Sequence, residues 1–223
     1  MITPKEITRS DRKTLALTVD RMGNLIVRAP FNLPEYEIYK FIEEKNDWIK
    51  SRINKVKLKA STYPDLISYQ KFLLFGTKYK TMKLMSVKSA KFENGFCYVP
   101  NLDTQKEIVH KVVLVYKRLA NKWLKQRTDE ISQAIGIKYN SFKVSDTKGR
   151  WGACTSKKEI NLNFRVVCLA PALIDYVIVH ELAHIKEMNH SPKFWVIVQS
   201  ILPDYKKRRK AIKELNFLFE IYK

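Results

Sequence analysis

Three of the four histidines in this sequence fall within eleven consecutive residues, at His180, His184 and His190. The first two enclose the pentapeptide His-Glu-Leu-Ala-His, and residues four apart lie on the same face of a helix. Both imidazoles can therefore reach one metal ion, while Glu181 can reach a water molecule bound to that ion and take its proton. The spacing predicts a site for metal-dependent hydrolysis, with zinc as the cofactor that this donor set favours.

A catalytic zinc site usually has three protein ligands, so the HExxH pair needs a third. His190 is the first candidate, but on an unbroken helix it would lie about 9 Å beyond His184 and about 120° round the axis. We therefore expect the helix to end after His184. Ser191-Pro192 then supplies an N-cap and a first-turn proline for a new helix. A downstream carboxylate, Asp204 or Glu214, is the rival third ligand.

The elements that must position these residues are predicted for residues 101–223, the expected hydrolase domain. An apolar stripe from Ile108 to Leu124 indicates a long helix that ends near Gly136 and backs the core. Alternating apolar residues within 141–167 predict a short antiparallel sheet, and Pro171 begins the helix that carries the histidines. One face of this sheet is polar and is a candidate for contacts with an extended substrate: Asn161, Asn163 and Arg165.

Residues 1–100 are predicted to form a β-rich region with one helix. A hairpin is expected around Gly23, a helix from Pro34 to about Lys57, and further strands between Tyr69 and Val99. The expected fold class is therefore α+β, with an active-site helix, a backing helix and a small antiparallel sheet after an N-terminal β-rich region.

The composition favours an anionic substrate and excludes several other classes. Lys and Arg number 42 against 22 Asp and Glu, a net charge of +20 that is divided as +9 and +11 between the two predicted regions. No glycine-rich phosphate loop, paired CxxC motif, apolar signal peptide or membrane span is present. We therefore expect a reduced, cytoplasmic protein with no membrane partner.

The charge also allows a different kind of protein, a nucleic-acid-binding module whose histidines are structural. Lys206–Lys210 is the densest basic run, and Gly149–Gly152 is superficially similar to the GxxG loop of KH domains. Neither feature is specific, because the run is typical of a solvated helix and the GxxG lies between predicted strands. Nucleic acid is therefore an allowed partner that the sequence does not require.

The sequence resembles the YgjP-like metallopeptidase family, relatives of the SprT-like zincins. The resemblance is carried by Arg150–Cys154, Ile160–Asn163, Ile174–His184, Asn189–Ser191, Phe194-Trp195 and Pro203–Tyr205. It is close over about residues 141–210 and looser before them. It implies a zincin-like core, a zinc ion held by His180, His184 and His190, and Glu181 as the catalytic base.

The resemblance implies peptide hydrolysis as the function, with a nucleoside triphosphate pyrophosphatase as the alternative. A basic surface round the metal would suit either a peptide or a nucleotide substrate. A three-histidine site favours zinc and hence the peptidase, because phosphohydrolases often use magnesium held by carboxylates. Arg150 and Tyr205 lie in the matched segments and are candidates for stabilising developing negative charge.

Overall fold

A computed structural model describes residues 2–20 and 22–222 and has the expected α+β architecture. By their internal contacts the residues form two compact units, Met1–Ser68 and Tyr69–Lys223. None of the helices in the described part of the chain is long and apolar enough to cross a bilayer.

The first unit packs helices on a three-stranded sheet. Its strands are β1 (Glu6–Ser10), β2 (Ala16–Val19) and β3 (Leu25–Pro30), and β3 lies in the middle, parallel to β1 and antiparallel to β2. The predicted hairpin is thus confirmed as β2 and β3, although residue 21 of its turn lies outside the described residues. Alternation along β3 buries three of its side chains against three isoleucines of the helices: Leu25, Val27, Ala29, Ile38, Ile42 and Ile49.

The single helix predicted from Pro34 to Lys57 is two helices in the structure. They are α1 (Glu35–Glu44) and α2 (Asn46–Thr62), and the short α3 (Pro64–Ile67) follows. The helices separate at Lys45, whose φ of −100° and ψ of 11° leave the helical region. No glycine or proline marks this break, and the apolar periodicity runs across it. The sequence pattern therefore predicts one helix where the structure has two.

The second unit begins with a four-stranded sheet in the order β4-β5-β7-β6. Its strands are β4 (Lys71–Leu74), β5 (Thr77–Leu84), β6 (Lys91–Glu93) and β7 (Phe96–Pro100). Phe75 N donates to the carbonyl of Val167 at 2.7 Å, and a Cβ on Gly76 would lie 2.7 Å from the Cα of Ala170. The four strands β4 to β7 therefore belong to the unit that carries the histidines, and the boundary between the units follows Ser68, whereas the sequence placed it near residue 100.

The long helix predicted to back the core is confirmed. A capping box at Thr104 and Glu107 begins α4 (Gln105–Leu119), a π-helical segment (Ala120–Leu124) continues it, and α5 (Lys125–Ala134) ends it just before Gly136.

The sheet predicted within 141–167 is present, but it is mixed and not antiparallel. Its strands are β8 (Ser141–Ser145), β9 (Gly152–Cys154) and β10 (Glu159–Asn163), and the central β10 runs parallel to β8 and antiparallel to β9. After β10 the chain turns into a 3₁₀ helix (Phe164–Cys168). The remaining helices are α6 (Pro171–Ala183), α7 (Pro192–Ile201), α8 (Tyr205–Glu214) and α9 (Leu218–Ile221).

The polar sheet face predicted to contact a substrate is wrong for two of its three residues, because Asn163 and Arg165 are buried. The Arg165 guanidinium donates to Asp146 Oδ1 at 2.7 Å, to Asn163 Oδ1 at 3.2 Å and to the buried carbonyl of Tyr222. It also lies 4.1 Å from the centre of the Phe164 ring. Arg165 therefore holds the C-terminal helix against the sheet, and Asn161 remains half-buried on β10.

We predict that Arg165→Ala lowers the free energy of unfolding by about 2–4 kcal/mol, because it removes buried hydrogen bonds and leaves the Tyr222 carbonyl without this donor. Urea denaturation followed by circular dichroism measures the change. Arg118→Ala, at an exposed position on α4, is the matched control and should cost no more than about 0.5 kcal/mol. Equal costs for the two variants would contradict the assigned role of Arg165.

Candidate metal centre

The helix that carries the HExxH sequence is mostly apolar and is enclosed by other elements. α6 packs against α5, α7, α8 and β9, and its buried residues include Ile174, Val177, Ile178 and Val179. A helix this apolar is stable only inside a folded core. The polar side chains in its last turn, His180 and Glu181, are consequently held in a largely dry environment.

The predicted end of this helix after His184 is confirmed. His184 is the C-cap of α6, and α7 begins at Pro192 with Ser191 as its N-cap, whose hydroxyl accepts a hydrogen bond from Phe194 N at 3.3 Å. The connecting turn brings His190 back to the helix. Its Nε2 lies 3.0 Å from Nε2 of His180.

The three imidazoles fit a metal ion. One potential ligand atom from each of His180, His184 and His190 lies within 4.8 Å of the others. In a tetrahedral zinc site with Zn–N bonds of about 2.1 Å, ligand nitrogens are about 3.4 Å apart, close to the spacing observed between His180 and His190. The His184 Nδ1–H donates to the carbonyl of Glu187 at 3.1 Å, which leaves its Nε2 as an acceptor of a proton or a metal.

The rival third ligands lie outside this cluster. The only group of described residues with three potential ligands in metal-binding proximity consists of the three histidines, without Asp204 or Glu214. The exposed carboxylate of Asp204 instead accepts hydrogen bonds from Arg208 Nε at 2.9 and 3.0 Å.

Burial affects the protonation of two of the histidines, His180 and His190. Burial, with smaller effects of the neighbouring histidines, lowers the pKa of His180 to about 3. Burial also lowers the pKa of His190. A neutral imidazole is the form that binds a metal, so the surroundings favour the ligand state of these side chains at neutral pH.

Among the described residues, Glu181 is the one acidic side chain that lines a cavity together with the three histidines. Only 6% of the residue is exposed, and burial raises the pKa of its carboxyl to about 8, an effect that the positive charge of Arg150 opposes. A cation close to such a carboxyl favours its ionised form. The site thus combines neutral imidazoles with a carboxyl whose charge depends on nearby positive charge.

Gly152 is a site residue that the spacing of the chemistry-bearing side chains did not reveal. A Cβ at this position would lie 2.6 Å from Oε1 and 2.7 Å from Cγ of Glu181. Real Cβ atoms do not approach other atoms so closely, so the bare backbone of β9 is needed for Glu181 to occupy its position. The available signal was a glycine in a strand, which often marks such a close approach.

The cluster opens into a cavity of about 470 Å³. Arg150, Gly152, Glu181 and the three histidines line it, and the remaining lining residues are Trp151, Ala153, Cys154, Tyr176, Val177, Met188 and Ile212. The strand at the cavity is therefore the edge strand β9, whereas β10 lies in the middle of its sheet.

Of the two residues predicted to stabilise negative charge, Arg150 lies at the cavity. Tyr205 is buried instead and stacks on Trp195, with ring centres 5.3 Å apart.

An α+β fold whose buried helix carries HExxH, with a third histidine in ligand range, defines a candidate metallohydrolase. More narrowly, the chain belongs to the YgjP-like metallopeptidase family, since the family model described as "YgjP-like, metallopeptidase domain" matches residues 13–215. The resemblance seen in the sequence is confirmed.

Two solved structures are similar to part of this chain, and both are described as metallopeptidase zymogens. Abylysin of Pyrococcus abyssi is 23% identical, with a TM-score of 0.37 and coverage of 40% of this chain and 90% of that one. Jannalysin of Methanocaldococcus jannaschii is 27% identical, with a TM-score of 0.36 and coverage of 41% and 96%. No curated protein matches the sequence.

We predict that Gly152→Ala lowers stability by about 1–3 kcal/mol, because the added methyl group must displace the Glu181 side chain. In a Glu181→Ala background the same change should cost much less, since the clashing atoms are gone. Urea denaturation of the wild type, the two single variants and the double variant measures the coupling free energy between Gly152→Ala and Glu181→Ala.

Gly149→Ala, in the loop that precedes β9, is the control, because a Cβ there meets no described atom within 4 Å. Its φ of +83° adds a cost of about 1 kcal/mol, which should be the same in both backgrounds. If Gly152→Ala costs as much without the Glu181 side chain as with it, the proposed close packing is wrong.

Proposed function

We propose that this protein is a zinc-dependent peptidase in which His180, His184 and His190 hold the metal and Glu181 is the catalytic base. The observation that carries the proposal is the convergence of three imidazoles, two from the end of α6 and one from the turn after it, beside the buried carboxyl of Glu181. Membership of the YgjP-like metallopeptidase family supports peptide hydrolysis as the reaction.

Each side chain has a role that follows from its surroundings. When bound, a zinc ion supplies a Lewis acid that polarises a carbonyl group and lowers the pKa of a water molecule. The Glu181 carboxylate takes a proton from the attacking water and returns it to the leaving amine. The bare backbone of Gly152 fixes where this carboxylate lies, and the carbonyl of Glu187 fixes the orientation of the His184 ring.

The substrate is proposed to bind as an extended peptide along β9. Among the described strands β9 pairs only with β10, so its other edge offers unpaired backbone groups beside the cavity. An extended peptide can add to such an edge by main-chain hydrogen bonds, while its side chains enter the cavity. This geometry replaces the predicted contacts to Asn163 and Arg165, which are buried in the fold.

The other two hypotheses have no specific support in the described residues. The metal-binding group consists of histidines, whereas the carboxylate cluster expected for a magnesium-dependent phosphohydrolase is absent from the described part of the chain. Gly149–Gly152 lies between β8 and β9, not between two helices. We also propose a reducing, cytoplasmic location, since Cys97, Cys154 and Cys168 are all free thiols.

We predict that the purified protein contains about one zinc ion per chain, measured by mass spectrometry of the metal. Substituting any one of His180, His184 and His190 by Ala should abolish stoichiometric zinc. His110→Ala, at an exposed position on α4, removes the fourth histidine and should leave the zinc content unchanged. Zinc retained in His190→Ala would exclude that residue as a ligand, and a folded wild-type protein that never binds zinc would refute the proposal.

We predict that Glu181→Gln keeps its zinc but loses a factor of about 10² to 10⁴ in kcat on unstructured peptides, because an amide cannot accept the proton. Peptide cleavage followed by mass spectrometry measures the loss. Glu130→Gln, on α5 outside the cavity lining, is the control and should keep full activity. Cleavage of nucleoside triphosphates that depends on Glu181, with peptides left intact, would support the phosphohydrolase alternative instead.

A further inference from the structure

Two arginines on different elements are connected to the metal centre, one at the cavity and one through an aromatic stack. Arg150 precedes β9 and lines the cavity with Glu181. Arg209 belongs to α8, and its guanidinium carbon lies 4.6 Å from the centre of the Trp195 ring. The Trp195 ring in turn stacks with His190, at 5.6 Å between ring centres and an interplanar angle of 22°. The Trp195 ring thus connects Arg209 to the third histidine, and Arg209 itself lies outside the cavity lining.

Neither of these arginines is neutralised by the protein. Within residues 2–20 and 22–222, no carboxylate lies within ion-pair distance of Arg150 or Arg209. Three other arginines of the same unit have such partners: Arg127 pairs with Asp175, Arg165 with Asp146, and Arg208 with Asp204. The described lining of the cavity contains no acidic residue other than Glu181. The cavity therefore carries uncompensated positive charge.

We propose that Arg150 and Arg209 are two anion subsites that select peptides with Asp or Glu side chains close to the cleaved bond. This inference rests on the proposed peptidase function and names its substrate class. Arg209 suits the role because its stacking on Trp195 already restricts the side chain, so that less conformational entropy is lost when a substrate binds. A guanidinium forms two parallel hydrogen bonds with a carboxylate, so each arginine can accept an acidic side chain directly.

A randomised peptide library incubated with the zinc-loaded protein tests the inference, with cleavage products read by mass spectrometry. We expect Asp and Glu to be enriched about three- to tenfold at one or more positions beside the cleaved bond. Arg150→Gln and Arg209→Gln should each lose part of this enrichment, because KM rises more for acidic peptides than for neutral peptides cleaved by the same variant. Lys210→Gln, at the neighbouring exposed position on α8, removes the same charge from a side chain that has no described ring contact and should keep the wild-type profile.

A binding experiment separates failure of this inference from failure of the proposed function. An acidic peptide and its Gln-substituted counterpart are titrated into Glu181→Gln protein at low and high salt. Tighter binding of the acidic peptide, weakened by salt and by each arginine substitution, supports the subsites even if no peptide is cleaved.

Three results would overturn the inference. The first is equal cleavage of acidic and neutral peptides, which would leave the peptidase function standing. The second is an acidic preference that survives both arginine substitutions. The third is displacement of the acidic peptide by a nucleoside triphosphate that binds more tightly and needs both arginines.

Discussion

The site depends on one helix ending at the right residue. On an unbroken helix His190 would lie about 9 Å beyond His184 and on a different face, out of reach of a shared metal. The end of α6 at His184 and the new N-cap at Ser191 prevent this and return His190 to within 3.0 Å of His180. The hydrogen bond from His184 to the Glu187 carbonyl ties the same turn to a ligand ring. Helix termination therefore builds the third corner of the cluster.

The apolar surroundings of α6 determine the chemistry of the polar groups that it carries. A surface helix would leave His180 and Glu181 hydrated, with pKa values near their usual ranges. Here burial disfavours the imidazolium of His180 and the free carboxylate of Glu181 alike. A bound cation reverses the preference at Glu181, because it favours the ionised carboxylate. It keeps the preference at His180, because neutral imidazoles are the form that ligates a metal. The buried helix is thus suited to a cation and a carboxylate that stabilise each other.

The parts of the structure that follow from local sequence rules were predictable, and those that depend on distant partners were not. The spacing of HExxH and the Ser191-Pro192 cap gave the metal cluster and its turn. Alternation in β10 is the same whether its partner is parallel or antiparallel, so the pairing with β8 could not be inferred. The same alternation put Arg165 on an exposed face. It is buried because the chain leaves the strand after Asn163 and the guanidinium then donates to the carbonyl of Tyr222. That carbonyl lies far along the sequence, so the contact could not be inferred from the alternation.

Position matters more than total charge for what the cavity attracts. At physiological ionic strength, exposed charges separated by more than about 8 Å are largely screened from one another, so most of the 42 basic residues act on a bound substrate only weakly. Several arginines of the second unit are also neutralised in structural contacts, as the buried Arg165 illustrates. Arg150 and Arg209 differ because they are near the cluster and unpaired among the described residues. The electrostatic preference of the site therefore depends on two side chains, and the net charge of +20 mainly describes the surface around them.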